Sequence, residues 1–413
     1  MSEIEMLLTV EEREQIRAPI ERARTLPSRA FTDPGFYEFE KTHVLAESWM
    51  AIAFGASIPD IGDVFPMETL DIPILLIRGE DGVARAFHNI CPYDGCEVSL
   101  RRQQGVLHII TPYHGWKYSL DGKLMTANFW DGFETPGKGF PDELNVDLVE
   151  IPCQEWLGTI FIYPGSQMTE FETANYAVID HLSYLDLDGI HIGVNHSDEP
   201  LIDTLTIKSN WKTVYENYSP NVYHESFVHS MYRNSPHSPR VDGNGNKTYT
   251  EINDPSGYLG LCYDNTIGTS FYGESNLPAI LCKNGSDNAV NTISNVFPNW
   301  VTTILGDTAR ISIFLPEGPG MGKQIVATFF HHKGARAPEL AEDRMLAAKK
   351  GILARKEDNI ICESIQRARK SPAFDSQFYS PFWDGMHYTL SNLILDRIER
   401  AEAAIIEASI EEV

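Results

Sequence analysis

The chain has 413 residues, enough for two domains with full hydrophobic cores, and its 42% hydrophobic and 22% charged residues are those of an ordinary globular protein. Its formal net charge of −25 makes nucleic acid and anionic membranes poor partners and gives only weak encouragement to a cationic substrate. The opening M-S-E-I-E-M-L-L-T-V-E-E-R is too acidic for a signal peptide, no apolar run approaches the ~20 residues that span a bilayer, and the six cysteines include no C-x-x-C pair, so a cytoplasmic protein with reduced thiols is expected.

In chain order, residues 1–45 carry two charged, helix-compatible stretches around the turn L-P-S-R-A-F-T-D-P-G. Across 49–151 the pattern changes to short β segments such as I-P-I-L-L-I-R-G-E-D-G-V-A-R-A-F, with hairpin-type turns at Glu80-Asp81-Gly82 and Leu120-Asp121-Gly122. A strand pair at 146–151 and 156–163 closes this small antiparallel domain. After a mixed stretch and a helix near 210–229, residues 230–300 are rich in Asn, Ser, Gly and Pro and read as a long irregular cover. Strands return at 300–305, 310–315 and 324–331, followed by a helix over 338–369 and an amphipathic helix over 388–410.

The stretch N-W-K-T-V-Y-E-N-Y-S-P-N-V-Y-H-E-S-F-V-H carries the chemistry. On helical spacing Asn217, Asn221 and His224 share a face, within an otherwise apolar segment. His229 follows His224 by five residues, which on a continuous helix would point the two rings about 140° apart. They converge on one metal only if the helix ends between them; otherwise they are two satisfied histidines. Asp358, in K-E-D-N-I-I-C-E, falls on a predicted apolar helix face with Ala354, Ile361, Cys362 and Ile365 and needs a partner there. Two imidazoles with one carboxylate make the facial triad of non-haem Fe(II) enzymes. Spacing alone slightly favours the other reading, an acid paired with Arg355 or Lys356.

These residues change weight together. The chain resembles the α subunit of Rieske-type ring-hydroxylating oxygenases over nearly its full length, matching that family's signatures at Asn210, Trp211, Lys212, Glu216, Asn217, Tyr223, His224, His229 and Asp358. The resemblance implies an α+β fold: a helical segment (1–45), a Rieske-like antiparallel β domain (46–165) and a START-like catalytic domain with a helix-covered antiparallel sheet (166–413). It also implies mononuclear Fe(II) on His224, His229 and Asp358, with Asn217 beside it. A small organic substrate, O2, a trimeric assembly and a reductase or ferredoxin complete what the family suggests.

The resemblance departs from the family at the cluster. A Rieske [2Fe-2S] centre needs two thiolates and two imidazoles. The two ligand segments here read Cys91-Pro92-Tyr93-Asp94-Gly95 and Thr111-Pro112-Tyr113-His114-Gly115-Trp116. Tyr93 stands where the family has an imidazole and Thr111 where it has a thiolate; Cys91 and His114 alone cannot hold a cluster. Cys96 and His108 lie nearby, but C-x4-C-x11-H-x5-H is not a usual zinc spacing. Asn221 replaces the acid that in the family links the iron to a neighbouring subunit's cluster. The expectation is a non-haem iron oxygenase, hydroxylating or oxidatively demethylating its substrate, without a cluster of its own. The alternatives, in order, are a non-catalytic subunit in a mixed trimer with an intact homologue, and a redox-inactive metal enzyme.

Overall fold

The computed structural model describes residues 6–134, 144–218, 222–230, 232–233, 238–264 and 275–411 and divides into two units, 49–166 and 1–48 with 167–413. In the smaller unit, β1 (Met50–Phe54) pairs with β10 (Thr159–Ile162), which also pairs with β9 (Cys153–Trp156). A second sheet runs β2 (Val64–Thr69), β3 (Ile72–Arg78), β4 (Ala84–His88) and β8 (Glu150–Ile151), and a third runs β5 (Ile109–Ile110), β6 (Lys117–Tyr118) and β7 (Leu124–Thr126). Every pairing is antiparallel, as hairpin connections allow. The turn expected at Glu80-Asp81-Gly82 joins β3 to β4 and that at Leu120-Asp121-Gly122 joins β6 to β7, with Gly82 and Gly122 at φ 77° and 79°. Leu75, Ile77, Phe87, Cys91, Ile109, Trp116 and Tyr118 form the core between them.

The larger unit is built on an eight-stranded antiparallel sheet. Its order is β11 (Ile190–Ile192), β18 (Met321–His331), β17 (Ala309–Gly318), β16 (Trp300–Ile304), β15 (Val290–Val296), β14 (Tyr258–Asp264) and β13 (Thr250–Asp254), with β12 (Ile202–Ile207) also on β18. The helices of this unit include α1 (Val10–Arg17), α2 (Pro34–Glu40), α3 (Trp211–Tyr218), α4 (Glu225–Val228), α5 (Ala341–Ala368) and α6 (Gly385–Glu411). The segment α1 starts on a capping box, the Thr9 hydroxyl accepting from the Glu12 N–H and Glu12 accepting from the Thr9 N–H. Arg13 then reaches the Glu402 carboxylate on α6 at 2.7 Å.

One expectation fails here. Residues 230–300 are not simply a loop cover, because β13, β14 and β15 lie within them. Strand reading relies on apolar alternation, and β15 buries Asn291, Thr292, Ser294 and Asn295 instead. Part of that polarity is satisfied within the core. Ser294 and Thr302 hydroxyls are 2.7 Å apart, and Asn295 Nδ2 donates to the Tyr215 carbonyl at 2.6 Å.

Candidate metal centre

The N-W-K and E-N residues turn out to anchor α3. Asn210 donates from Nδ2 to the Pro319 carbonyl at 2.8 Å, and its N–H reaches Gln366 Oε1 at 3.0 Å. Lys212 Nζ lies 2.5 Å from Glu40 Oε2, both side chains fully buried, and the Trp211 indole N–H donates to the same carboxylate. Burial pushes the Glu40 carboxyl up and the Lys212 ammonium down, against their mutual attraction. Arg369 on α5 binds Glu216 at 2.9 Å. With its start fixed in this way, α3 runs over Trp211–Tyr218.

Asn217 lies on α3, while Asn221, expected on one helix face with Asn217 and His224, lies outside the described residues. A short 3-10 turn, Val222–His224, leads into the single-turn α4, and His229 leaves that turn in extended conformation at φ −86°, ψ 121°. The chain thus bends between the two histidines. Their ring centroids stand 5.3 Å apart, with Nε2 of His224 3.6 Å and Nε2 of His229 3.4 Å from Asp358 Oδ1. One ligand atom from each of the three lies within 4.8 Å of the others. Asp358 Oδ1 is buried and has no hydrogen-bond partner, a costly state for an anion that a bound cation would relieve.

Asp358 does not sit on an apolar helix face. The buried positions of α5 are Arg344, Arg355, Asp358, Cys362 and Gln366, with Ala341 and Ala348, while Ile360 and Ile361 face outward. This face is polar because it meets the α3 anchor and the cavity, so the predicted neighbour Ile361 is on the wrong side. Arg355 is not the partner of Asp358 either: it donates to Ser312 Oγ at 2.8 Å and lies 3.9 Å over the Tyr218 ring.

Glu357, which sequence reading passed over, accepts from His229 Nδ1 at 3.1 Å and from the Ser230 N–H at 3.3 Å. Burial raises its carboxyl, but these hydrogen bonds outweigh that and hold it below the ordinary carboxylate value. The acid beside Asp358 was visible in the sequence, but its place opposite His229 was not. The three donor groups open on a cavity of about 110 Å3 lined among others by Asn217, Tyr232, Leu261, Ile293, Val301, Arg310 and Lys350. Asn217 Nδ2 is buried there without a hydrogen-bond partner. Glu225, also in the lining, is engaged by Arg240 at 2.8 Å.

In the smaller unit the two expected ligand segments fold alike. The Cys91 carbonyl accepts from Gly95, Thr111 N–H donates to the Trp116 carbonyl, and Gly95 and Gly115 stand at φ 71° and 68°. Their side chains do not present a cluster set. The Tyr93 ring stacks on Trp116 at 4.9 Å and 7° between planes. The Thr111 hydroxyl accepts from the Trp116 N–H at 3.0 Å, and His114 Nδ1 lies 2.5 Å from Asp94 Oδ2. Cys91 is 1% exposed, and burial pushes its thiol up, away from the thiolate a cluster requires. Among the described residues, neither grouping of three ligand-type side chains includes Cys91, Cys96, His108 or His114. Of the four ligand positions the resemblance marks, Cys91 and His114 keep a thiol and an imidazole, whereas Tyr93 and Thr111 offer neither.

Two imidazoles and a carboxylate gathered at one cavity are the ligand set of the facial triad found in mononuclear non-haem iron oxygenases. The family described as "Ring hydroxylating alpha subunit (catalytic domain)" matches residues 187–399, and that described as "Rieske [2Fe-2S] domain" matches residues 48–132. The chain belongs to the ring-hydroxylating oxygenase α-subunit family. It is 26% identical over 382 residues to the chloroplastic choline monooxygenase of Arabidopsis thaliana, across 90% of this chain and 82% of that protein. To the carnitine monooxygenase oxygenase subunit of Escherichia coli it is 29% identical over 217 residues, 52% of this chain and 54% of that one. The solved structure of a quaternary ammonium Rieske monooxygenase shares the fold, with a TM-score of 0.72 at 20% identity over 93% of this chain and 98% of the other. The chain is thus an oxygenase of this family, and no helix of its described residues is long and apolar enough to cross a membrane.

Proposed function

We propose that the chain is a non-haem Fe(II) oxygenase whose metal is held by His224, His229 and Asp358. The observation that carries this reading is the buried, unpartnered Asp358 Oδ1 beside two imidazole nitrogens at the wall of a cavity. Ferrous iron bound there supplies the activation of O2. The protein's part is to orient and to exclude water. Glu357 holds the His229 ring, Asn217 offers an unpaired amide N–H to the cavity, and Leu261, Ile293 and Val301 give an apolar wall.

The names of the relatives support a small quaternary ammonium substrate. The lining narrows this further. Arg310, Lys350 and Arg355 reach the cavity, whereas its acid Glu225 is already paired with Arg240, so a zwitterion carrying a carboxylate suits it better than a simple cation. Turnover of carnitine and glycine betaine but not choline, by Fe(II)-loaded protein with a chemical reductant, tests this through released aldehyde. Preference for choline would overturn the zwitterion reading.

Tyr93, Thr111, the buried Cys91 thiol and Asn221 support a chain that draws electrons from outside itself: from substrate, a small reductant, or a partner subunit with an intact cluster. The match to the Rieske domain weighs the other way, since that domain carries a cluster in the family. Three departures, Tyr93, Thr111 and Asn221, favour a second reading, a scaffold subunit in a mixed trimer. Full activity after removal of His224, His229 or Asp358 would establish it.

A further inference from the structure

Asp186, His331 and His332 form a second grouping of one carboxylate and two imidazoles, sharing no residue with the cavity described above. Asp186 Oδ2 lies 3.0 Å from His331 Nε2 and 3.4 Å from His332 Nε2. Ligands placed about 2.1 Å from one cation stand roughly 3.0–3.4 Å from one another, so these separations are those of neighbouring ligands.

The backbone is shaped for this convergence. Successive residues of a strand point to opposite faces, so His331 and His332 in regular β18 would diverge. Instead β18 ends at His331, and His332 takes φ 44°, a conformation few residues other than glycine adopt. That turn brings the ring centroids to 4.0 Å. Opposite them stands Gly189. A Cβ at this position would lie 2.4 Å from His331 Nε2, 2.7 Å from Asp186 Oδ2 and 2.8 Å from His332 Cε1. Glycine therefore keeps clear the space onto which all three donors open.

We propose that Asp186, His331 and His332 bind a divalent cation of the zinc class, which clips the loop before β11 to the end of β18. Imidazole and carboxylate donors suit that ion. His331 is buried at the end of β18. Asp186 is 32% and His332 58% exposed at the side chain, so water completes the coordination.

The test uses the full chain carrying His224→Ala and His229→Ala, which removes the first metal centre. Dialysed against micromolar Zn2+, this protein should retain about one zinc per chain by elemental analysis and melt at a higher temperature than without zinc. Adding Asp186→Asn, His332→Ala or Gly189→Ala should each weaken zinc binding at least tenfold and abolish the thermal shift. The glycine variant leaves every ligand in place, so its loss reports on the space itself. His332 is largely exposed, so His332→Ala keeps the test open should Gly189→Ala fail to fold. Zinc affinity unchanged in all three variants, or no zinc retained at all, overturns the proposal.

Discussion

Two neighbouring acids hold His229 from both sides: Glu357 Oε2 lies 3.1 Å from its Nδ1, and Asp358 Oδ1 lies 3.4 Å from its Nε2. A hydrogen bond from Nδ1–H to Glu357 fixes the tautomer that leaves the Nε2 lone pair free for a metal. Glu357→Ala should therefore weaken Fe(II) binding about 10- to 100-fold while the ligands themselves remain, and Glu357→Gln should recover part of it. Anaerobic iron titration of both variants measures this; equal affinity in Glu357→Ala and the parent would show the contact to be structural only.

Loss of a ligand should be more severe. His224→Ala, His229→Ala and Asp358→Ala should each reduce bound iron to background, since a three-ligand site keeps too few anchors after losing one. Iron should also raise the melting temperature of the parent and not of these variants, because only the folded site binds it. Elemental analysis and melting curves with and without Fe(II) read both effects.

The cluster expectation is tested by colour and stoichiometry. Protein purified without oxygen should be nearly colourless and approach one iron per chain, as Tyr93 and Thr111 occupy two of the four ligand positions. Acid-labile sulfide at two per chain would show that the match to the Rieske domain extends to its cofactor.

Asn221 separates the electron sources. If a partner's cluster feeds this iron, Asn221→Asp restores the family's acid and should leave activity unchanged or raise it. Electrons taken from substrate predict a neutral or harmful effect of the added charge. Single-turnover rates with and without an intact homologue distinguish the two.

The buried pair beneath the site makes a stability prediction. Lys212→Met leaves Glu40 buried without its cation and should cost about 3–5 kcal/mol in denaturant unfolding. Combining it with Glu40→Leu should return most of that, because replacing both charges removes the uncompensated one. A cost below about 1 kcal/mol in the single variant would mean that the pair is not needed to hold α3.

Much was legible from the chain itself, and the reasons are local. The hairpin turns at 80–82 and 120–122 follow from glycine's freedom at positive φ, and the strands over 300–331 from alternating side chains. His224, His229 and Asp358 are singled out by the resemblance together with their spacing, since spacing alone favours an acid paired with Arg355 or Lys356. The resemblance, carried by N-W-K, E-N and Y-H, supplied the family, although in the structure Lys212 and Glu216 serve the anchoring of α3.

Tertiary structure decided what spacing could not. Whether two histidines five residues apart converge depends on where a helix stops, and here the single-turn α4 stops at Val228 and leaves His229 extended. Of the strands inside 230–300, β15 was hidden because it buries Asn291, Thr292, Ser294 and Asn295, a polarity met in part by Thr302 and the Tyr215 carbonyl. The polar face of α5, the grip of Glu357 on His229 and the meeting of Asp186 with His331 and His332 span 128 to 146 residues of sequence. No local propensity encodes such contacts; they exist only once the sheet has brought its ends together.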